Sequence, residues 1–330
     1  MEIIICKAFV VQFYSYYKAE EVFWEDFERF LRKYIAPNTT LITDIPENEW
    51  LEIGLSYQWF IQLQGRLRKT IVISDVMNEI TKNEYYEKSS PFQLFCTDKD
   101  FWDCKKMAKE FGFLYLNLTH LPEFWKVFYS EREDNFSLKV TNDISENRRF
   151  DTWEKLQAFS HPISHVVVFD KYILSDTQKL AYNLFPLLEN LFGNLALKRQ
   201  MYLTFIVEEK DKLVEKQQII AAFLAKKWQN IRFDVSVFCY ASDVHIPNFE
   251  GLHDRGIYTN YFRISSGDSF NYFKNRRNDI NNTTEIRFDF VFGKNNSFIL
   301  KDLRDIKTYI LKTGENDKRF VGNTDNPLLS

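Results

Sequence analysis

A surplus of positive charge is missing from this chain. Its 43 lysines and arginines face 46 aspartates and glutamates, for a net charge of −3. Proteins that hold polyanions over a broad surface carry a basic excess, so any anion site here must be a local feature. Paired cysteines are missing too. Cys6, Cys96, Cys104 and Cys239 form no CxxC, and their spacing suits neither a zinc site nor a disulfide framework. A reduced, cytoplasmic protein is the expectation. No apolar run reaches the roughly 18 to 20 residues of a membrane span. The opening MEIIICKAFVVQFYSYYK has an acid at position 2 and no small-residue cleavage site, so it reads as a first strand rather than a leader. Alanine and glycine are sparse.

What is present is apolar bulk. The chain has 330 residues, 45% hydrophobic and 17% aromatic, enough for a substantial core and for two domains. Strand-like runs alternate with helical patterns. Ile3-Ile4-Ile5 is a strand. Glu20 to Tyr34 sets Val22, Phe23, Phe27, Phe30 and Leu31 on one helical face, and Pro37-Asn38 ends it. Thr40 to Thr43 and Thr70 to Ser74 are short buried strands, and Trp50 to Leu67 is helical. Phe92 to Cys96 is a strand, Asp100 to Phe111 a helix stopped by Gly112, and Phe113 to Leu118 a strand again. The pattern predicts an α/β fold of two domains, the first with a largely parallel sheet. The expected boundaries are 1–130 for the N-terminal domain, 131–158 for a polar linker or excursion, 159–312 for the second domain and 313–330 for a loosely held tail.

The second half repeats the alternation. HVVVF (165–169), MYLTFIV (201–207), IRFDVSVFCY (231–240) and EIRFDFVF (285–292) are strands. One helix is expected from Ser175 or Asp176 to Phe192, and another from Lys212 to Trp228. Ser297 to Leu311 forms a final strand or helix. Between the third and last of these strands lies LHDRGIYTNYFRISSGDSFNYF (252–273), with His253, Arg255 and Asn260 followed by the small-residue turn Gly267-Asp268-Ser269-Phe270-Asn271. A histidine, a guanidinium and a Gly/Ser/Asn turn are the groups a phosphate needs.

His253-x-Arg255-x4-Asn260, six residues, then Gly267-x-Ser269-x-Asn271 resembles the signature of the phospholipase D superfamily, His-x-Lys-x4-Asp-x6-Gly-Ser-x-Asn. The likeness spans roughly Phe159 to Phe292 and implies a mixed sheet with flanking helices. It departs from the pattern at Arg255 for lysine, at Asn260 for aspartate and at the inserted Asp268. This HDR variant is similar to the non-catalytic domain found after MIT domains, which binds phosphoinositide membranes. The resemblance implies a phosphohistidine nucleophile at His253 in an active member, with two motifs face to face across a homodimer. Asn260 lacks the charge that would stabilise a histidinium, so phosphate binding by Arg255, Asn260, Ser269, Asn271 and the amides of the turn is favoured over turnover.

In the N-terminal half Asp75 and Glu79 stand one helical turn apart, and a strand ends in Thr97-Asp98-x-Asp100. This pattern resembles the later part of a PIN-type nuclease. The resemblance implies that Asp44, Glu79, Asp98 and Asp100 gather Mg²⁺ or Mn²⁺ to activate water. The family's first aspartate is absent, because Cys6 and Lys7 follow Ile5. Asp98 and Asp100 equally suit the cap of the helix that begins there.

His120, His161, His165 and His245 have no partner ligands at metal spacing and read as solvated or hydrogen-bonded. Phe262, Phe270, Tyr272 and Phe273 serve either a hairpin core or base stacking. Lys274, Arg276 and Arg277, just beyond the motif, are either solvated or extend a phosphate-binding surface. The leading expectation is a phosphate-recognising, nucleic-acid-binding protein with a degenerate phospholipase D-like site. Its bias to Phe, Asn, Ile and Lys resembles the product of an AT-rich bacterial genome, where such modules serve defence or nucleic-acid processing. The alternatives are an active nuclease working through Asp98 with metal or through His253 without it, an anionic-lipid binder, and an adaptor for a protein partner that uses neither site.

Overall fold

The computed structural model describes residues 1–19, 39–53, 60–63, 65, 68–76, 90–118, 135–159, 162–208, 211–239, 255–291, 297–313, 319–323 and 325–330. It is an α/β protein of two compact units, one built on Met1–Arg132 and the other on Glu133–Val291 with Asn296–Ser330. The helix expected over Glu20 to Tyr34 lies outside the described residues.

The first unit holds β1 (Glu2–Ile5), α1 (Lys7–Lys18), β2 (Thr40–Thr43), β3 (Lys69–Val72), β4 (Gln93–Cys96), α2 (Phe101–Phe111) and β5 (Leu114–Leu116). The strands form one parallel sheet in the order β3-β2-β1-β4-β5. Parallel strands are covered on both faces and so become continuously apolar. Ile3, Ile4 and Ile5 are buried accordingly, and Phe95 of β4 stacks on Tyr115 of β5 at 4.4 Å. The edge strand β3 departs from the buried strand expected there, since Val72 is exposed. Helix α2 is bounded as its sequence predicts. Asp100 accepts the Asp103 N–H at 2.8 Å, and Gly112 turns left-handed (φ 73°) to return its N–H to Ala108.

The second unit holds β6 (Asn135–Val140), β7 (Arg149–Phe150), β8 (His165–Phe169), α3 (Leu184–Phe192), β9 (Met201–Val207), α4 (Leu213–Lys227), β10 (Phe233–Cys239), β11 (Arg255–Thr259), β12 (Phe262–Ser266), β13 (Thr284–Phe290), α5 (Ser297–Thr313) and β14 (Phe320–Val321). Its mixed sheet runs β14-β10-β9-β8-β11-β12-β13-β6-β7. Strands β8, β9 and β10 are mutually parallel, and β11, β12, β13 and β6 continue antiparallel. The segment 175–192 holds less helix than expected. Pro186 has no N–H to give an inner turn, so α3 begins at Leu184 with the proline in its first turn, after a short 3-10 turn at Lys179–Ala181.

The range 131–158, expected as a linker or excursion, holds a sheet strand among its described residues: β6 pairs along its length with β13, and Leu138 and Val140 are buried. The described part of the tail, expected to be loosely held, is tied to the sheet. β14 pairs with β10, and the buried Asn326 donates to the Val166 carbonyl at 2.9 Å and to Thr204 Oγ1 at 3.0 Å. Gly322 lies at φ +108°, where an added Cβ would stand 2.7 Å from the Val235 carbonyl oxygen.

Candidate functional site

The antiparallel pairing of β8 and β11 puts the carboxyl end of one beside the amino end of the other, with Phe169 opposite Gly256. A cavity of about 170 Å³ opens there, lined by Phe169, Lys171, Tyr172 and Arg255. Arg255 reaches it from the first position of β11. Its Nη1 donates to the Gly267 carbonyl at 3.3 Å, and its guanidinium lies 5.9 Å from the Tyr172 ring centroid. Tyr172 is 44% exposed. The negative charge of Glu208, and then its hydrogen bond, hold the Tyr172 hydroxyl above its usual range.

Asp170 forms the floor of this corner and is fully buried. Its Oδ1 accepts the Tyr172 N–H at 3.0 Å, and its Oδ2 accepts the Phe270 N–H at 2.7 Å and the Ser269 hydroxyl at 2.9 Å. Burial pushes its pKa up, against these donors and the Arg255 charge. Asp268 accepts the Ser269 N–H at 2.7 Å, while its own N–H goes to Ser266 Oγ. The turn expected to cradle phosphate with backbone amides therefore already holds two of the protein's own carboxylates.

The predicted site residues separate into groups. Arg255, Ser269 and Asn271 lie together. Asn271 Nδ2 donates to the Tyr172 carbonyl at 2.8 Å and to Ser269 Oγ at 3.2 Å. Asn260 does not join them. It sits at the other end of β11, roughly 17 Å from Arg255 at about 3.4 Å per residue, and is fully buried. Its Oδ1 accepts the N–H groups of Ser164 (2.9 Å) and His165 (3.1 Å), so it ties strands and holds no phosphate. His253 lies outside the described residues. Phe262, Phe270, Tyr272 and Phe273 are core, while Lys274, Arg276 and Arg277 are exposed. The sequence reading missed Asp170, Lys171 and Tyr172. The available signal was an aspartate directly after the apolar HVVVF, where strands of α/β sheets present their functional loops.

In the first unit the carboxyl edge of the sheet carries Cys6 after β1, Asp44 after β2, and Asp98 and Asp100 after β4. Asp44 Oδ1 accepts the Lys7 N–H at 2.6 Å, and burial raises its pKa. Lys7 also pairs with Glu49. The Cys6 thiol lies 3.9 Å from Asp98 Oδ1, which also accepts the Thr97 hydroxyl at 3.4 Å. Burial pushes the Cys6 thiol up, so it stays protonated. Asp100 is engaged as the cap of α2. Among the described residues no three His, Cys, Asp or Glu side chains gather as metal ligands, and Glu79 lies outside them. The described donors do not fit Mg²⁺ or Mn²⁺, because Cys6, which follows β1 between the two acids, offers a protonated thiol where a hard oxygen is required.

Among the described residues no helix is long and apolar enough to cross a membrane. Compared with protein-family models and with curated proteins, the chain matches none of them.

Proposed function

We propose that the second unit recognises a phosphate-bearing ligand, a nucleic acid strand in the first instance, at the corner formed by Lys171, Tyr172 and Arg255. The observation that carries this reading is the sharing of one small cavity by an ammonium and a guanidinium. A guanidinium offers several N–H donors in a plane, and only one of Arg255's is engaged among the described residues. Tyr172 adds an exposed ring beside them, the kind of surface on which bases stack.

The reading is one of binding rather than hydrolysis. The amides of Ser269 and Phe270 point at Asp268 and Asp170, so neither of them is left for the extra charge of a reacting phosphate. Asp170 and Glu208 also balance the two cations, which favours short-range hydrogen bonding over long-range attraction.

The test is fluorescence anisotropy with labelled single-stranded RNA and DNA, and flotation with vesicles containing an anionic phosphoinositide. Arg255→Ala is expected to weaken nucleic-acid binding roughly 10- to 150-fold, the range for charge-assisted hydrogen bonds. A parent protein that binds none of these probes, or one whose affinity survives Arg255→Ala, sinks the reading. Binding to vesicles alone makes the ligand a lipid headgroup instead.

A further inference from the structure

Trp102 stands in the first turn of α2 with 74% of its surface exposed. A lone exposed aromatic needs no ligand, so its position is what matters. In a doubly wound parallel sheet the strand order reverses at one point, and ligands bind outside the carboxyl ends of the strands there. In the order β3-β2-β1-β4-β5 that point lies between β1 and β4. The loop after β4, residues 97–100, leads directly into Phe101 and Trp102. Phe101 meets Trp102 edge-on at 5.2 Å, and Lys105 Nζ lies 4.0 Å from the Phe101 centroid and 5.5 Å from the Trp102 centroid. The platform is thus braced from its own helix, and the indole stays open to solvent.

The same loop supplies polar atoms that are open among the described residues. Asp98 is exposed and takes its hydrogen bonds on Oδ1, leaving Oδ2 open among the described residues. Lys99 is exposed, and its ammonium has no ion-pair partner there. An aromatic face, an acceptor and a cation within five consecutive residues match the base, the ribose hydroxyl and the phosphate of a nucleotide. Only Cys6 separates β1 from α1, and the Lys7 N–H at the start of α1 is held by Asp44. Phosphate is therefore not drawn to the start of α1.

We propose that the carboxyl edge of the first unit's sheet is a second binding site, for a nucleoside phosphate. Trp102 stacks on the base, Asp98 accepts a ribose hydroxyl, and Lys99 faces the phosphate. The ligand is either a free nucleotide or the end of a single strand. The proposal is independent of the Arg255 corner, and its test removes that corner first.

In an Arg255→Ala background, ATP, a fluorescein-labelled single-stranded RNA and inorganic phosphate are titrated against the full chain. The same titrations are run with Trp102→Ala and Trp102→Tyr added. The expected result is binding of ATP or RNA but not of inorganic phosphate, weakened roughly 5- to 150-fold by Trp102→Ala and largely restored by Trp102→Tyr. ATP binding assigns a free nucleotide, and binding of RNA alone assigns a strand end. No base-bearing probe bound in that background, or equal affinities for Trp102→Ala and its parent, overturns the proposal. The indole lies on the surface, so its removal leaves the fold in place for that comparison.

Discussion

At the scale of single residues, the most consequential buried group outside the two sites is His165, 1% exposed and stacked on Tyr202 with ring centroids 5.4 Å apart. Two backbone donors fix Asn260 Oδ1, so Asn260 Nδ2 faces His165 Nδ1 at 3.0 Å and Nδ1 must accept. The ring proton then sits on Nε2, buried and without a hydrogen-bond partner among the described residues. Burial, and then the charge of Arg199, push the imidazole well below its usual 6.5. The folded state thus binds this proton less readily than the unfolded chain. Its contribution to stability is present above about pH 6.5 and is lost as pH falls towards the lowered value, by up to roughly 1.4 kcal/mol per pH unit. Urea unfolding at pH 5.5 and 7.5 should show the loss in the parent. A smaller loss is expected in His165→Gln, whose carbonyl can still accept from Asn260, and equal losses in both proteins would refute the assignment. The sequence showed His165 without metal partners but not its burial, because the Asn260 that holds it lies 95 positions away. The same distance in sequence hid the true place of Asn260. Its spacing matched a ligand motif, whereas its chemistry closes a gap between strands.

At the scale of elements, legibility followed periodicity. The strands HVVVF and MYLTFIV and the caps Asp100 and Gly112 are local signals, and they stand where the sequence puts them. β6 was harder to read because Phe136, Leu138 and Val140 alternate with polar residues inside a strongly charged stretch. β14 is only two residues long and has no period of its own. Its docking depends on Gly322, whose φ of +108° and tight approach to Val235 and Ser236 exclude any other side chain without a backbone shift. Gly322→Ala should lower stability by about 1–3 kcal/mol and speed amide exchange at 319–323. Unchanged exchange there would mean that the tail does not pair with β10. The Arg255 corner was half legible. The sequence displayed Arg255, Ser269 and Asn271, whereas Asp170, Lys171 and Tyr172 join them only through the pairing of β8 with β11.

At the scale of the whole molecule, the balance of 43 basic against 46 acidic residues sets how binding responds to salt. With Lys171 and Arg255 as the only phosphate contacts proposed for the second unit, the logarithm of affinity for a single strand should fall against the logarithm of salt with a slope of about −1.4, at roughly −0.7 per contact. Affinities measured from 50 to 300 mM salt test this, and a slope steeper than about −4 would require a basic surface that these two residues do not form. The carboxylates beside both candidate sites work in the same direction, trading reach for selectivity.

The pairing of β14 with β10 also bears on how the chain is made. β10 is complete by Cys239, yet among the described residues its outer flank has no strand beside it until Phe320 and Val321 have left the ribosome. For some eighty codons of translation that flank remains an unsatisfied row of amides and carbonyls, open to a neighbouring nascent chain. The strand that seals this edge is therefore made long after the strand it seals, and a chain lacking it would be prone to join others of its kind.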